Sequence, residues 1–258
     1  MLEGLFPGRT AAQLFAPIAE AAAPAPSSVH QVEFGHGLFE PDGRHITTLP
    51  PLSDDEGLDN LDTSRLAQLA GHIVDLDTEL EIRIGSGGSA CLTYRYRTLN
   101  LSDRPLTRVQ RELWFEHTVG GLTIEPLRGA KRRLAIQPLH DTPNLSKFAC
   151  QISPAVQPGE SADISYTCDG GRFIDSLYWR QSVYRYTRRF SINLRHADAG
   201  RMVCCSALEE YPDGSERSVT EDLIWDDESN DVTVSLTREY LRPNQSITLR
   251  WDVAREHA

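Results

Sequence analysis

Lysine is almost missing from this chain: arginine supplies 24 of the 26 cationic residues. Arginine must then fill nearly every cationic surface position, so its presence alone is a weak sign of phosphate recognition. The bias reads as the coding habit of a high-GC bacterial genome. Also missing is any run near the roughly 18 apolar residues that suggest a membrane-spanning helix. The opening "MLEGLFPGRT" has no basic segment and is broken by Pro7 and Gly8, which argues against a secretory signal. The five cysteines are an odd number at irregular spacing, and no C-x-x-C pair occurs. They read as reduced, mostly buried thiols rather than a disulfide framework or a zinc site. A cytoplasmic protein with no membrane association is expected.

Catalytic signatures are equally sparse. No G-x-S-x-G elbow is present, and "GSGGSA" at 85–90 lacks the lysine of a phosphate-binding loop. Lying between two alternating runs, it reads as a hairpin turn. The adjacent Cys204 and Cys205 would point to opposite faces of a strand, which suits neither a chelate nor a relaxed disulfide. Buried small hydrophobes are the simpler reading. Asp54, Asp55, Glu56, Asp59 and Asp62 lack calcium-loop spacing. They read as a solvated acidic loop before a short helix capped by Thr63 or Ser64, with Leu66, Leu69 and Ile73 on one face. Imidazoles and carboxylates gather only around His30, Glu33, His36, Glu40, Asp42 and His45. That group could hold a divalent metal or transfer protons, but its spacing matches no ligand motif. No metal and no other cofactor is expected.

What the chain does have is strand texture. From Leu80 onward, short alternating runs such as "LEIRI", "CLTYRYRTLNL", "RFSINLRH" and "SITLRWDV" are separated by turn residues such as "GSGG" and "PDGS". The expected fold is mainly β, an antiparallel β-sandwich of immunoglobulin-like type, after a short helical or irregular N-terminal segment. "TYRYRTLNLSD" at 93–103 and "VYRYTRRFSINLRHAD" at 183–198 share a Tyr-Arg-Tyr opening. "PGESADISYTC" at 158–168 and "PNQSITLRWDV" at 243–253 share a Pro-x-x-Ser opening. Taken as a repeat, these divide the chain into an N-terminal segment (1–77) and two sandwich units (78–170 and 171–258). One larger sandwich is the alternative. The stretch "YRYTRRFSINLRH" followed by "LRPNQSITLRWDV" resembles immunoglobulin-like β-sandwich domains appended to regulatory and signalling proteins of high-GC bacteria. That resemblance covers about the last 80 residues and implies a binding or regulatory module rather than an enzyme.

Charge is unevenly laid out. The net charge is −11, yet residues 94–201 carry a net +7 and the two flanks together −18. Such a basic middle either pairs with the chain's own acids or faces an anionic partner. The negative total counts against double-stranded DNA. If the middle is a recognition surface, its candidates are Arg95, Arg97, Tyr184, Arg185, Tyr186, Arg188 and Arg189. Arginine grips oxyanions with two parallel donors, and tyrosine offers a stacking face. Read by parity, Phe190, Ile192 and Leu194 should face a core, with Arg189 and Arg195 opposite them. The expected function is therefore a non-catalytic binding or regulatory protein whose partner is a protein or a small anionic ligand. An enzyme built on the N-terminal histidine loops is the alternative.

Overall fold

A computed structural model describes residues 65–127, 131–227 and 230–254, all of which fall in one compact unit. A single helical turn at 65–67 buries Leu66. The helix expected to continue through Ile73 ends there, because Ile73 already opens a strand.

Fourteen strands follow among the described residues. The first seven are β1 (Ile73–Ile84), β2 (Ser89–Asn100), β3 (Leu106–Trp114), β4 (His117–Pro126), β5 (Arg133–Asp141), β6 (Leu145–Val156) and β7 (Ser161–Arg172). The second seven are β8 (Tyr178–Val183), β9 (Thr187–His196), β10 (Arg201–Glu210), β11 (Glu216–Ser218), β12 (Ile224–Asp226), β13 (Val232–Leu241) and β14 (Gln245–Ala254). They form a seven-stranded sheet (β12-β13-β9-β1-β2-β7-β4), a four-stranded sheet (β11-β10-β14-β8) and a three-stranded sheet (β3-β6-β5).

Both small sheets pack on the same large one, which makes the fold a layered β-sandwich. Phe148 of β6 meets Tyr166 of β7 edge to face, at 5.1 Å between centroids. Trp251 of β14 reaches His196 of β9, its Nε1 3.4 Å from Nδ1. The strands of β9 show why these runs are strands. Phe190, Ile192 and Leu194 are buried while Arg189 and Arg195 are exposed, as the alternation requires.

Strands β1 to β7 and β8 to β14 each supply one part of the large sheet and one small sheet. The two groups join where β1 runs parallel to β9, from Asp75 opposite Thr187 to Ile84 opposite His196. Every other ladder is antiparallel. The large sheet thus crosses residue 170, and β1 begins ahead of residue 78. The two stretches with a shared Tyr-Arg-Tyr opening are not equivalent in space. Tyr94 and Tyr96 lie inside β2, whereas Tyr184 and Tyr186 lie in the connection between β8 and β9. Likewise β2 pairs with β7, while β9 and β14 belong to different sheets.

The "GSGGSA" stretch is a turn between β1 and β2, closed by Gly85 N donating to Ser89 O at 2.9 Å. Glycine is required at 88, where φ is +76° and a Cβ would stand 2.2 Å from the Phe173 carbonyl oxygen. No helix among the described residues is long and apolar enough to cross a membrane.

Candidate binding cleft

The outer face of the large sheet carries several of the arginines that the sequence singles out, and it carries their counter-charges too. Strand β1 presents Asp77, Glu79 and Glu81 between β2 and β9. Arg95 of β2 lies 3.4 Å from both Glu79 and Glu81. Arg97 stands opposite Asp77 on one side and Asp163 of β7 on the other. Arg189 stands between Asp77 and Glu239 of β13. Arg188 donates to the Asp77 carboxylate and to the Leu76 carbonyl, both at 3.3 Å. Arg195 donates twice to Asp231, at 3.0 and 2.7 Å. The basic middle of the sequence is therefore answered by acids from both flanks.

The remaining candidates part company. Tyr186 packs on a small apolar cluster with Leu66 and Leu76 and meets the His72 ring at 5.9 Å. Arg185 turns inward, with a buried Nη1 that has no hydrogen-bond acceptor among the described residues. Tyr184 is about half exposed and lines a cleft on the inner side of the sheet. The structure thus does not gather the seven residues into one surface.

That cleft lies between the two small sheets. Strand β3 is the edge of the three-stranded sheet and β8 the edge of the four-stranded one, and residues from both line it. It encloses about 210 Å³, close to the bulk of one large side chain. Tyr94, Phe115, Phe173 and Trp179 supply its apolar lining. The Phe115 and Trp179 rings pack 5.3 Å apart. Phe115 can lie against β7 because position 171 is glycine; a Cβ there would meet the ring at 2.3 Å. Gln181 fixes the lining by accepting from Tyr94 Oη at 2.7 Å and from Trp179 Nε1 at 3.4 Å. Burial drives the Tyr94 hydroxyl well above its ordinary range, so it stays a neutral donor.

The rim is polar and divided by charge. Glu112 and Glu116 stand on the β3 side, with Glu112 held 3.2 Å from Lys147. Arg180 stands on the β8 side and pairs with Glu210 at 2.7 Å. His117 brings a buried Nε2 with no hydrogen-bond partner among the described residues. Two of the exposed large apolar side chains, Trp114 at 47% and Tyr184 at 51%, stand on this rim. Of the cleft, sequence reasoning found Tyr184 alone. Trp179 and Gln181 carry a local signal, since both fall on the inward phase of β8 beside Val183.

Cys204 is exposed and Cys205 half-buried, against the expectation of buried thiols, because β10 is irregular between Met202 and Cys204 and its first half lies open. No disulfide forms among the described cysteines, and no group of three His, Cys, Asp or Glu among the described residues could hold a metal ion. His30, His36 and His45 lie outside the described residues.

No family profile and no curated protein sequence matches the chain. Solved structures do resemble it. One is a putative protease from Parabacteroides distasonis, with a TM-score of 0.47 and 6% identity over 70% of this chain and 41% of that one. Another is an M1 zinc metallopeptidase from Deinococcus radiodurans, with a TM-score of 0.40 and 8% identity over 69% of this chain and 42% of that one. The chain matches about two fifths of the length of each.

Proposed function

We propose that this is a non-catalytic, cytosolic binding and regulatory protein that receives an extended segment of a protein partner in the cleft between β3 and β8. The observation that carries the reading is the meeting of two open strand edges over an aromatic cavity of side-chain size. Each edge offers backbone donors and acceptors outside any ladder, which is what an added strand pairs with, although the Gln110 carbonyl accepts from Arg111 Nη1 and the Ser182 carbonyl from Gln181 Nε2. The cavity supplies specificity by taking one large apolar side chain, and Trp114 and Tyr184 cover it from the rim. Aromatic anchors of this kind carry most of the energy in such contacts.

The test is selection of linear peptides from a phage-displayed library on the full chain, followed by titration of the selected peptides. Tyr184→Ala should weaken binding about tenfold or more, the effect of losing one aromatic anchor. Arg95→Gln, on the opposite face, should leave it unchanged. Selected peptides that bind Tyr184→Ala as well as the parent, or a library that yields no binder, would overturn the reading.

A further inference from the structure

Beneath the large sheet lies a second polar cluster whose charges do not balance. Asp75 sits at a bulge in β1, 4% exposed. Its Oδ1 accepts from Thr98 Oγ1 at 2.6 Å. Arg111 of β3 reaches it from the facing sheet, with Nη2 3.6 Å from Oδ2, too long for a hydrogen bond. The Arg111 side chain is 4% exposed, and its guanidinium lies 4.1 Å over the Tyr96 ring. Arg185 enters the same neighbourhood from the connection between β8 and β9, where Asp75 N donates to the Tyr186 carbonyl at 2.9 Å and Asp75 stands opposite Thr187. Burial lowers the Arg185 guanidinium to about 10, and the like charge of Arg111 adds to this while Asp75 opposes it. Asp75 pairs with Arg111, and no carboxylate is within ion-pair distance of Arg185 among the described residues.

The donors make the shortage specific. Arg111 Nη1 donates to the Gln110 carbonyl at 3.4 Å, but its Nε and Nη2 are buried with no hydrogen-bond acceptor among the described residues. Those two nitrogens form one edge of the guanidinium, the fork that takes a carboxylate or phosphate through two parallel bonds. Arg185 Nη1 is a third nitrogen of this cluster that is buried with no hydrogen-bond acceptor among the described residues. Buried donors of this kind are nearly always satisfied, and a charged one left unpaired is costly. Asp75 could close on Nη2 alone and would still leave Arg185 unmet.

The described groups around the cluster do not provide the missing charge at neutral pH. Burial pushes Cys150 up to about 11 and Tyr96 up to about 12, so both remain neutral. Burial likewise holds Tyr166 well above its ordinary range. We propose that Arg111 and Arg185 form a site for a single oxyanion group, a carboxylate or a phosphate, whose oxygens take Arg111 Nε and Arg185 Nη1 while Arg111 Nη2 keeps its ion pair with Asp75. Arg185 is only half-buried as a residue, so its connection is the route of entry. The site stands independently of the β3–β8 cleft, because none of its polar residues line that cleft.

The test is isothermal titration of the full chain at constant ionic strength with three probes: inorganic phosphate, acetate, and a short glutamate-bearing peptide. Saturable binding of phosphate or acetate identifies a free anion as ligand, and binding of the peptide alone identifies a partner's carboxylate. Either result should weaken about tenfold or more in Arg185→Gln, which loses one charge-assisted hydrogen bond. Arg111→Gln should do the same; if that deeply buried variant fails to fold, Arg185→Gln decides. Absence of saturable binding by all three probes, or equal binding by Arg185→Gln and the parent, would overturn the proposal.

Discussion

The arginines on the open face of the large sheet and those beneath it have opposite circumstances. Arg95 and Arg195 each meet a carboxylate where water already solvates them, and the partly buried Arg188 meets Asp77. Arg111 is buried beside Asp75 and Arg185 is half-buried, and among the described residues three of their buried nitrogens have no hydrogen-bond acceptor. An exposed pair gains little from its partner, because high dielectric and side-chain entropy leave roughly 0–1 kcal/mol. A buried cation pays heavily for desolvation, so its partner matters far more. Arginine content therefore says little about recognition in this protein. What matters is which guanidinium groups lack an answer.

The largest effect should come from the buried side of that contrast. Asp75→Asn removes the carboxylate paired with the buried Arg111 and should cost about 3–5 kcal/mol in urea unfolding. A loss under about 1 kcal/mol would mean that the cations are hydrated after all. Phe190→Ala should cost a similar amount, about 3–5 kcal/mol, because the ring is 2% exposed and its removal leaves a cavity. That substitution calibrates apolar burial in β9 against charge burial next to it.

An intermediate effect should appear at alkaline pH. Burial raises Cys91 and Cys150 to about 11 and Cys168 to about 12, from an ordinary value near 9. Above about pH 9 the unfolded thiols ionise while the folded ones stay neutral. Their contribution to stability is full below that pH and is lost as pH rises toward 11–12. Unfolding midpoints measured from pH 8 to 11 should fall, and Cys150→Ala with Cys168→Ala should flatten the slope. The smallest effect belongs to the open face. Arg95→Ala should change stability by about 0.5 kcal/mol or less, decreasing further at high salt.

The sequence carried the strands and their faces, because alternation is a local property. Phe190 against Arg189 could be read directly from β9. It did not carry the parallel pairing of β1 with β9, which joins residues more than a hundred positions apart and leaves no local mark. Nor did it reveal that the second Tyr-Arg-Tyr is a connection. Both stretches open with Tyr-Arg-Tyr, but the second lies between β8 and β9, where the chain passes from the four-stranded sheet to the large one. The buried Arg111 did leave a signal. In "RVQRELW" it falls in phase with Val109 and Leu113, the inward phase of β3. A cation on an apolar phase is a better guide to a polar cluster than a run of arginines on the outer one.

The most direct test of which side of the large sheet recognises a partner is backbone amide hydrogen exchange, with and without a library-selected peptide. Strand addition predicts new protection in 110–116 of β3 and its following turn or in 178–184 of β8 and the start of its connection, with β1 and β2 unchanged. Protection appearing instead along Glu79 to Arg83 and Cys91 to Arg97, on the open face, would contradict the account.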